Sequence, residues 1–285
     1  MKLPFIKNGV KGFSLDFQKM EKTVFVTLTD RSYFPKAKKT IEELRQRGKW
    51  EGDVVLIVVD FTPNPDELPP NTLLHSVQHI DHTPLWNIWK TKPIQKMDDN
   101  RHYGKVYQWD KLYVFSDFFK QWDRVVFIDA GIRILDTVEH LLTLDVKGKF
   151  LAPDDSDPYD NGNRLKIQFD WNANPIATRR MIENFGIDWW TSKYFINCIF
   201  MFDTSLLHNT NVVEDMKFMM YRYPISLCNE MGIMNLYFTV KRKVWEAFPQ
   251  RTLDNSKYLF GWSELNYRER PNWTQFCFLK YAATI

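Results

Sequence analysis

The run Arg124-Val125-Val126-Phe127-Ile128-Asp129-Ala130-Gly131 constrains this chain most. Its β-branched and aromatic residues make an unbroken apolar stretch, as a strand buried on both faces of a parallel sheet requires. The stretch stops at Asp129-Ala130-Gly131, so a carboxylate closes its carboxyl end. In open α/β sheets ligands sit in the crevice at that edge. Asp129 there can hold a ribose hydroxyl or a divalent cation. A short acid before a turn can equally act as a cap.

The rest of the chain supplies a sheet around that strand. Thr23–Leu28 reads as a first strand, and Thr29-Asp30-Arg31-Ser32 has turn and N-cap chemistry. Tyr33 to Gly48 reads as a helix, with Pro35 in its first turn and Gly48 as its stop. Asp53–Phe61 is a second buried strand. This β-α-β succession predicts an α/β fold with a mostly parallel central sheet and right-handed crossovers.

Thr62 to about Tyr103 is rich in proline and reads as loop, carrying Trp86, Trp89, His79 and His82. Trp109–Phe119 has Leu112, Phe115 and Phe119 at helical spacing and leads into the Arg124–Asp129 strand. Val138–Leu144 predicts a helical turn or two, and Phe150–Ala152 a strand ending at Pro153-Asp154-Asp155. Ser156–Arg164 reads as exposed loop. Tyr194–Phe202 is another apolar strand, interrupted by Asn197. Asn211–Tyr223 and Glu230–Phe238 read as helices. Lys241–Ile285 has weak periodicity and is expected to pack around the crevice. The division expected is a leader over residues 1–22 and one domain over 23–285, with a donor half at about 23–135 and an acceptor half at about 136–285.

Composition narrows the class. With 38 Lys+Arg against 35 Asp+Glu, the formal charge of +3 does not argue for nucleic acid. Cys198, Cys228 and Cys277 are too few and odd in number for a disulfide framework, and no stretch reaches transmembrane length. Met1–Lys22 lacks the continuous apolar run of a secretory signal. A cytoplasmic, reducing setting follows, in which the Asn272-Trp273-Thr274 glycosylation match is a chance one. Cys198 reads as a small core residue.

Taken in chain order, several segments resemble the glycogenin-like, retaining nucleotide-sugar glycosyltransferases of the GT-A fold. Val26-Thr27-Leu28-Thr29 with Tyr33 resembles the family's first strand and nucleobase turn. Lys111-Leu112 resembles its donor-facing Lys-Leu. Val126-Phe127-Ile128-Asp129-Ala130-Gly131 lies where the family carries Asp-x-Asp. Ala152-Pro153-Asp154, Phe195-Ile196-Asn197-Cys198 and Glu230-Met231-Gly232-Ile233-Met234-Asn235 resemble later family segments.

The resemblance implies transfer of a sugar from a nucleotide diphosphate sugar, usually a UDP-sugar, to a carbohydrate or glycoprotein acceptor, with retention of configuration. It implies donor contacts from Thr27, Leu28, Thr29, Tyr33, Lys111, Asp129, Ala130, Gly131, Asp154 and Lys257. Catalytic roles fall to Glu230, Asn197 and Lys111, with Glu230 as nucleophile or charge stabiliser. Trp86, Trp89, Trp189 and Trp190 are candidates for acceptor stacking or for the core. Bland alternatives stand beside these. Thr27 and Thr29 can be strand ends, Lys111 a solvated charge, Asn197 a buried polar group satisfied by backbone, and Glu230 a first-turn helix acid.

The chain departs from the family pattern at Gly131, which replaces the second metal-ligating Asp. The family's later metal-binding His also lacks a clear counterpart, Lys257 occupying roughly its place. His79-x-x-His82 has no partner ligands in sequence and reads as a solvated pair. Two consequences compete. A fixed cation, Lys257 or Arg133, replaces Mn²⁺ or Mg²⁺ at the diphosphate, or the ion still binds through Asp129, phosphate oxygens and water. A relative that binds nucleotide or glycan without turnover is the alternative function. An enzyme joining nucleotides to sugar phosphates fits less well, since Thr29–Ser32 has no glycine.

Overall fold

The computed structural model describes residues 21–94, 105–155, 162–262 and 273–280. The expected leader up to Met20, residues 156–161 of the polar stretch and Asn272 of the glycosylation match lie outside the described residues.

β1 (Thr23–Thr29), α1 (Phe34–Gln46) and β2 (Asp53–Val59) form the expected opening. The segment read as loop contains β3 (Thr72–Val77), which pairs with β2, and α2 (Thr83–Thr91). Their short, polar-interrupted sequences hide the pattern, since β3 is only partly covered at the sheet edge. β4 (Arg124–Ile128) is the central strand, followed by β5 (Arg133–Ile134), the single turn α3 (Glu139–Leu142) and β6 (Phe150–Ala152). Next come α4 (Pro175–Phe185), β7 (Ile199–Asp203), α5 (Val212–Arg222) and α6 (Glu230–Asn235), which continues as a π-helix through Leu236–Lys241. The weakly periodic end holds β8 (Trp245–Ala247), β9 (Tyr258–Trp262) and β10 (Phe276–Lys280).

Seven of these strands form one sheet in the order β3-β2-β1-β4-β7-β6-β8. β7 alone among them runs against its neighbours; the others are parallel. β5, β10 and β9 make a second, small sheet. The strand expected over Tyr194–Phe202 begins as a continuous ladder only at Ile199; before it, Phe195 makes a single antiparallel bridge to Asp154, with the Ile196 N–H donating to the Pro153 carbonyl at 3.0 Å.

Strand residues alternate between two apolar clusters, as a period of two dictates. Val24, Val26, Val55, Ile57, Val125 and Phe127 face the cluster that includes Trp109 and Met216. Phe25, Val54, Leu56, Val58, Val126 and Ile128 face α1 and the second sheet. Both faces are therefore covered, which explains the near-continuous apolar runs. Trp89 and Trp189 are buried in the first cluster, and Trp86 and Trp190 pack against it. Cys198 is buried in the second.

The reversal of β7 positions the site. Its amino end lies at the same edge as the carboxyl ends of β1, β2 and β4. The Asp129 backbone N–H donates to the Cys198 carbonyl at 2.8 Å, which brings Asn197 beside Asp129. No helix among the described residues is long and apolar enough to cross a membrane.

Candidate functional site

A cavity of about 690 Å³ opens at this edge. Apart from Lys280, its lining falls between Leu28 and Arg133. Leu28 and Thr29 come from the end of β1, and Val59 from the end of β2. Tyr33, the residue that caps the start of α1, and Lys36 and Thr40 of α1 lie on one side, at the spacing of adjacent helical turns. Asp129, Ala130 and Gly131 follow β4. The segment read as an α-helix before β4 is a 3₁₀ helix over Val106–Phe115. Three residues per turn align Lys105, Gln108 and Lys111 in one row, with Tyr107 and Asp110 in the next, and all five line the cavity.

Lys111 is the hub of the polar network. It is 5 % exposed, and its Nζ lies 3.0 Å from Asp129 Oδ1 and 3.2 Å from Glu230 Oε1. It also donates to the Asn197 carbonyl at 3.1 Å and stands 5.3 Å over the Phe127 ring. Asn197 Nδ2 donates to Glu230 Oε1 at 2.9 Å. Asn229, in a left-handed conformation (φ 49°), starts α6 and donates to the Lys105 carbonyl at 3.1 Å, fixing Glu230 beneath the 3₁₀ helix. The second Asp129 oxygen, Oδ2, is 2.7 Å from Lys280 Nζ at the end of β10.

Burial acts first on all three of these ionisable groups. For Asp129 it would raise the carboxyl, but Lys111 and Lys280 outweigh it and hold Asp129 below the usual carboxylate range. Burial pulls the Lys111 ammonium down, and Asp129 with Glu230 more than reverses this. Glu230 is pushed up by burial, only partly offset by Lys111. The centre is therefore a carboxylate held between two ammonium groups, with a protonation-prone acid below.

The site residues expected from sequence divide into groups. Leu28, Thr29, Tyr33, Lys111, Asp129, Ala130 and Gly131 line the cavity. Asn197 and Glu230 do not line it; they lie under Lys111 and hold it. Thr27 shares the α1 face of β1 with Thr29 but lies two residues deeper in the strand, below the cavity among Phe25, Ile41 and Leu44. Asp154 sits farther along the edge, paired with Lys193 at 2.8 Å. Lys257 and Arg133 need correction as diphosphate cations. Lys257 lies away from the cavity, 2.6 Å from Asp136, and Arg133 is locked to Glu43 through Nε at 2.8 Å although it borders the cavity. Lys280 is the second cation, beside Lys111, that meets Asp129. It was missed because β10 pairs with β5 and β9, a contact between distant chain segments; the apolar run Phe276–Leu279 closed by a Lys was its only local signal.

His79, read as half of a solvated pair, is instead engaged at the cavity wall: its Nδ1 lies 2.6 Å from Asp110 Oδ2, and its ring contacts Tyr107. His82 is buried beside them with Nε2 unpartnered among the described residues, and burial lowers its pKa to about 4.

The fit of a divalent ion can be judged from the donor set. Magnesium, manganese and calcium need several oxygen ligands. Gly131 offers no side chain, and its φ of +93° is a conformation that L side chains rarely adopt. Both Asp129 oxygens are ion-paired to ammonium groups. Asp30 caps the Tyr33 N–H at 2.8 Å, and Asp110 accepts from the Ile80 N–H at 2.8 Å. These residues do not fit an ion at Asp129. Asp136, His140 and Cys277 also converge, but Lys257 already neutralises Asp136.

The sequence pattern of glycosyl transferase family 8 matches residues 29–251. The chain belongs to this family. It is a glycosyltransferase, using a nucleotide-sugar donor and a carbohydrate acceptor. No curated protein sequence matches it. Galactosyltransferase LgtC, solved with donor and acceptor sugar analogues, is 11 % identical with a TM-score of 0.56, covering 91 % of this chain and 87 % of that one. The bifunctional glycosyltransferase WbbM is 13 % identical with a TM-score of 0.58, covering 98 % of this chain and 49 % of that one. Core-mannan synthase A of Aspergillus fumigatus, in its Mn/GDP form, is 8 % identical with a TM-score of 0.50, covering 80 % and 72 %. At such identities the likeness shows the GT-A fold.

In this family 8 glycosyltransferase the buried His82 makes a pH prediction. A base whose folded pKa is depressed takes up its proton first in the unfolded chain, so stability falls as pH drops from about 6.5 to about 4. The shift converts to a loss of about 3 kcal/mol at most, less whatever solvent screening removes. Urea unfolding across that window should show a smaller loss for His82→Phe; equal slopes would refute the assignment.

Proposed function

We propose that the cavity binds a UDP-sugar and that the enzyme transfers its sugar with retention of configuration. The observation that carries the reading is Asp129 held between Lys111 and Lys280 at the mouth of the parallel sheet. Diphosphate charge needs preorganised donors, and two ammonium groups in a partly enclosed site supply them. Leu28, Thr29, Val59 and Tyr33 offer a wall for the nucleoside, and Asp129 an acceptor for a ribose hydroxyl. The donor half is accordingly the segment before about residue 135, closed by Lys280.

Retention needs either a protein nucleophile or attack on the same face with the leaving phosphate as base. Glu230 is 2 % exposed and engaged by Lys111 and Asn197, which favours same-face attack. Glu230 then positions Lys111. The acceptor is a carbohydrate or glycoprotein. Cys198, Cys228 and Cys277 are all free thiols, consistent with a cytoplasmic setting.

Incubation with UDP- and GDP-sugars, following released nucleoside diphosphate and the anomeric configuration of the product by NMR, tests the reading. Calorimetric binding without turnover would establish the non-catalytic alternative. An inverted product would refute retention. Tyr33 is 46 % exposed, so Tyr33→Ala should leave the unfolding midpoint unchanged. Loss of stacking should weaken UDP binding about tenfold by calorimetry; unchanged affinity would remove Tyr33 from the nucleoside wall.

A further inference from the structure

We propose that Lys280 does the work of a divalent cation: its ammonium binds the donor diphosphate and stabilises the leaving group, and the enzyme works without metal. The inference rests on the donor reading above and deepens it at one position.

Asp129 Oδ2 meets Lys280 Nζ at 2.7 Å, on the side opposite the Lys111 contact to Oδ1. Lys280 lines the same cavity as Thr29 and Tyr33, although the rest of that lining lies at least 147 residues earlier, at or before Arg133. β10 is anchored through Leu279 opposite Arg133 of β5 and through Lys280 opposite Trp262 of β9, so the lysine is delivered by a paired strand. Its Nζ also stands 5.4 Å over the Trp262 ring, which directs the side chain. The buried Arg133–Glu43 pair ties β5 to α1; Glu43 also accepts from the Ile134 N–H at 3.0 Å. The second sheet is thereby fixed against the wall that carries Tyr33 and Thr40. A strand-mounted ammonium is held where charge develops, the condition for electrostatic stabilisation without reorganisation.

Three N–H donors let one ammonium hold a carboxylate oxygen and a phosphate oxygen together. In the transfer, the bond from the anomeric carbon to the diphosphate oxygen breaks and its electron pair goes to that oxygen. A bond forms from the acceptor hydroxyl oxygen to the anomeric carbon, and the hydroxyl proton leaves on the released nucleoside diphosphate. Lys280 keeps its proton throughout and donates hydrogen bonds to the departing oxygen. No redox change or further co-reactant is needed.

The test uses the full chain stripped with EDTA, with UDP, GDP, uridine and guanosine as calorimetric probes and sugar release as the second readout. Wild-type affinity for the preferred diphosphate, and turnover, should be the same in EDTA as in added manganese. Lys280→Ala should weaken diphosphate binding about ten- to a hundredfold, the range for a charge-assisted hydrogen bond, while nucleoside affinity stays unchanged. Lys280→Arg should recover part of the loss.

Diphosphate binding or turnover that vanishes in EDTA and returns with manganese would overturn the inference, while leaving the donor reading intact. So would a Lys280→Ala variant with wild-type diphosphate affinity, or one that loses nucleoside and diphosphate affinity equally, which marks a structural role. Absence of all nucleotide binding by wild type, in EDTA and in manganese, would overturn the donor reading itself, and the inference with it.

Discussion

Lys111→Met should destabilise the fold by about 3–5 kcal/mol, the cost of removing one partner from a buried ion cluster. The methionine matches the lysine stem but strands Glu230, whose remaining side-chain partner among the described residues is the neutral Asn197. Asp129 keeps Lys280, so the loss concentrates on Glu230. The midpoint of urea unfolding should fall with little change in slope. A second substitution identifies the cause: Glu230→Gln in the Lys111→Met background should restore much of the loss, because it removes the stranded charge. Failure of the double variant to recover would show that Lys111 acts by packing alone.

The pH dependence of the same cluster follows in sign. Lys111 has its pKa raised in the fold, so its contribution is present below about 10.4 and is lost as pH rises through the folded value. Asp129 has its pKa lowered, so its contribution is present above about 3.9 and is lost as pH falls through the folded value. In Lys111→Met the deficit should shrink on acidification, as the stranded Glu230 takes up a proton.

Asp129→Asn should lower kcat/KM for transfer about a hundredfold or more, the scale of removing one preorganised electrostatic contact. The amide keeps the size of the carboxylate but no longer neutralises two ammonium groups that both reach it. Lys111 and Lys280 then repel, and neither is held where the diphosphate needs it. Released nucleoside diphosphate is the readout, with far-UV circular dichroism confirming the fold. Transfer at the wild-type rate would remove Asp129 from the site and with it the central premise of the donor reading.

The legibility of this molecule followed sequence distance. β1, α1, β2 and β4 were readable because each carries its own period, and burial on both faces leaves uninterrupted β-branched runs. β3 and α2 were not, since a half-covered edge strand and a short Trp-rich helix lack a clean pattern. Thr27 and Thr29 illustrate a finer limit. Both are buried threonines of β1, but only Thr29, at the strand end, reaches the cavity. Glu230 shows another: its sequence context pointed to chemistry, and its tertiary surroundings put it beneath the lysine that faces the cavity.

Sequence alone determined the α/β class, the central strand and the carboxylate that closes it, because these depend on residues adjacent in the chain. Tertiary structure decided what that carboxylate meets. Lys111 arrives on a 3₁₀ turn whose three-residue period an α-helical reading misplaces, and Lys280 arrives on a strand 151 residues away through pairing with β5 and β9. Lys257 was nearer the expected place in sequence but is spent on Asp136. Charge neutralisation is a matter of distance in space, falling off over a few ångströms, and chain order carries no record of that distance.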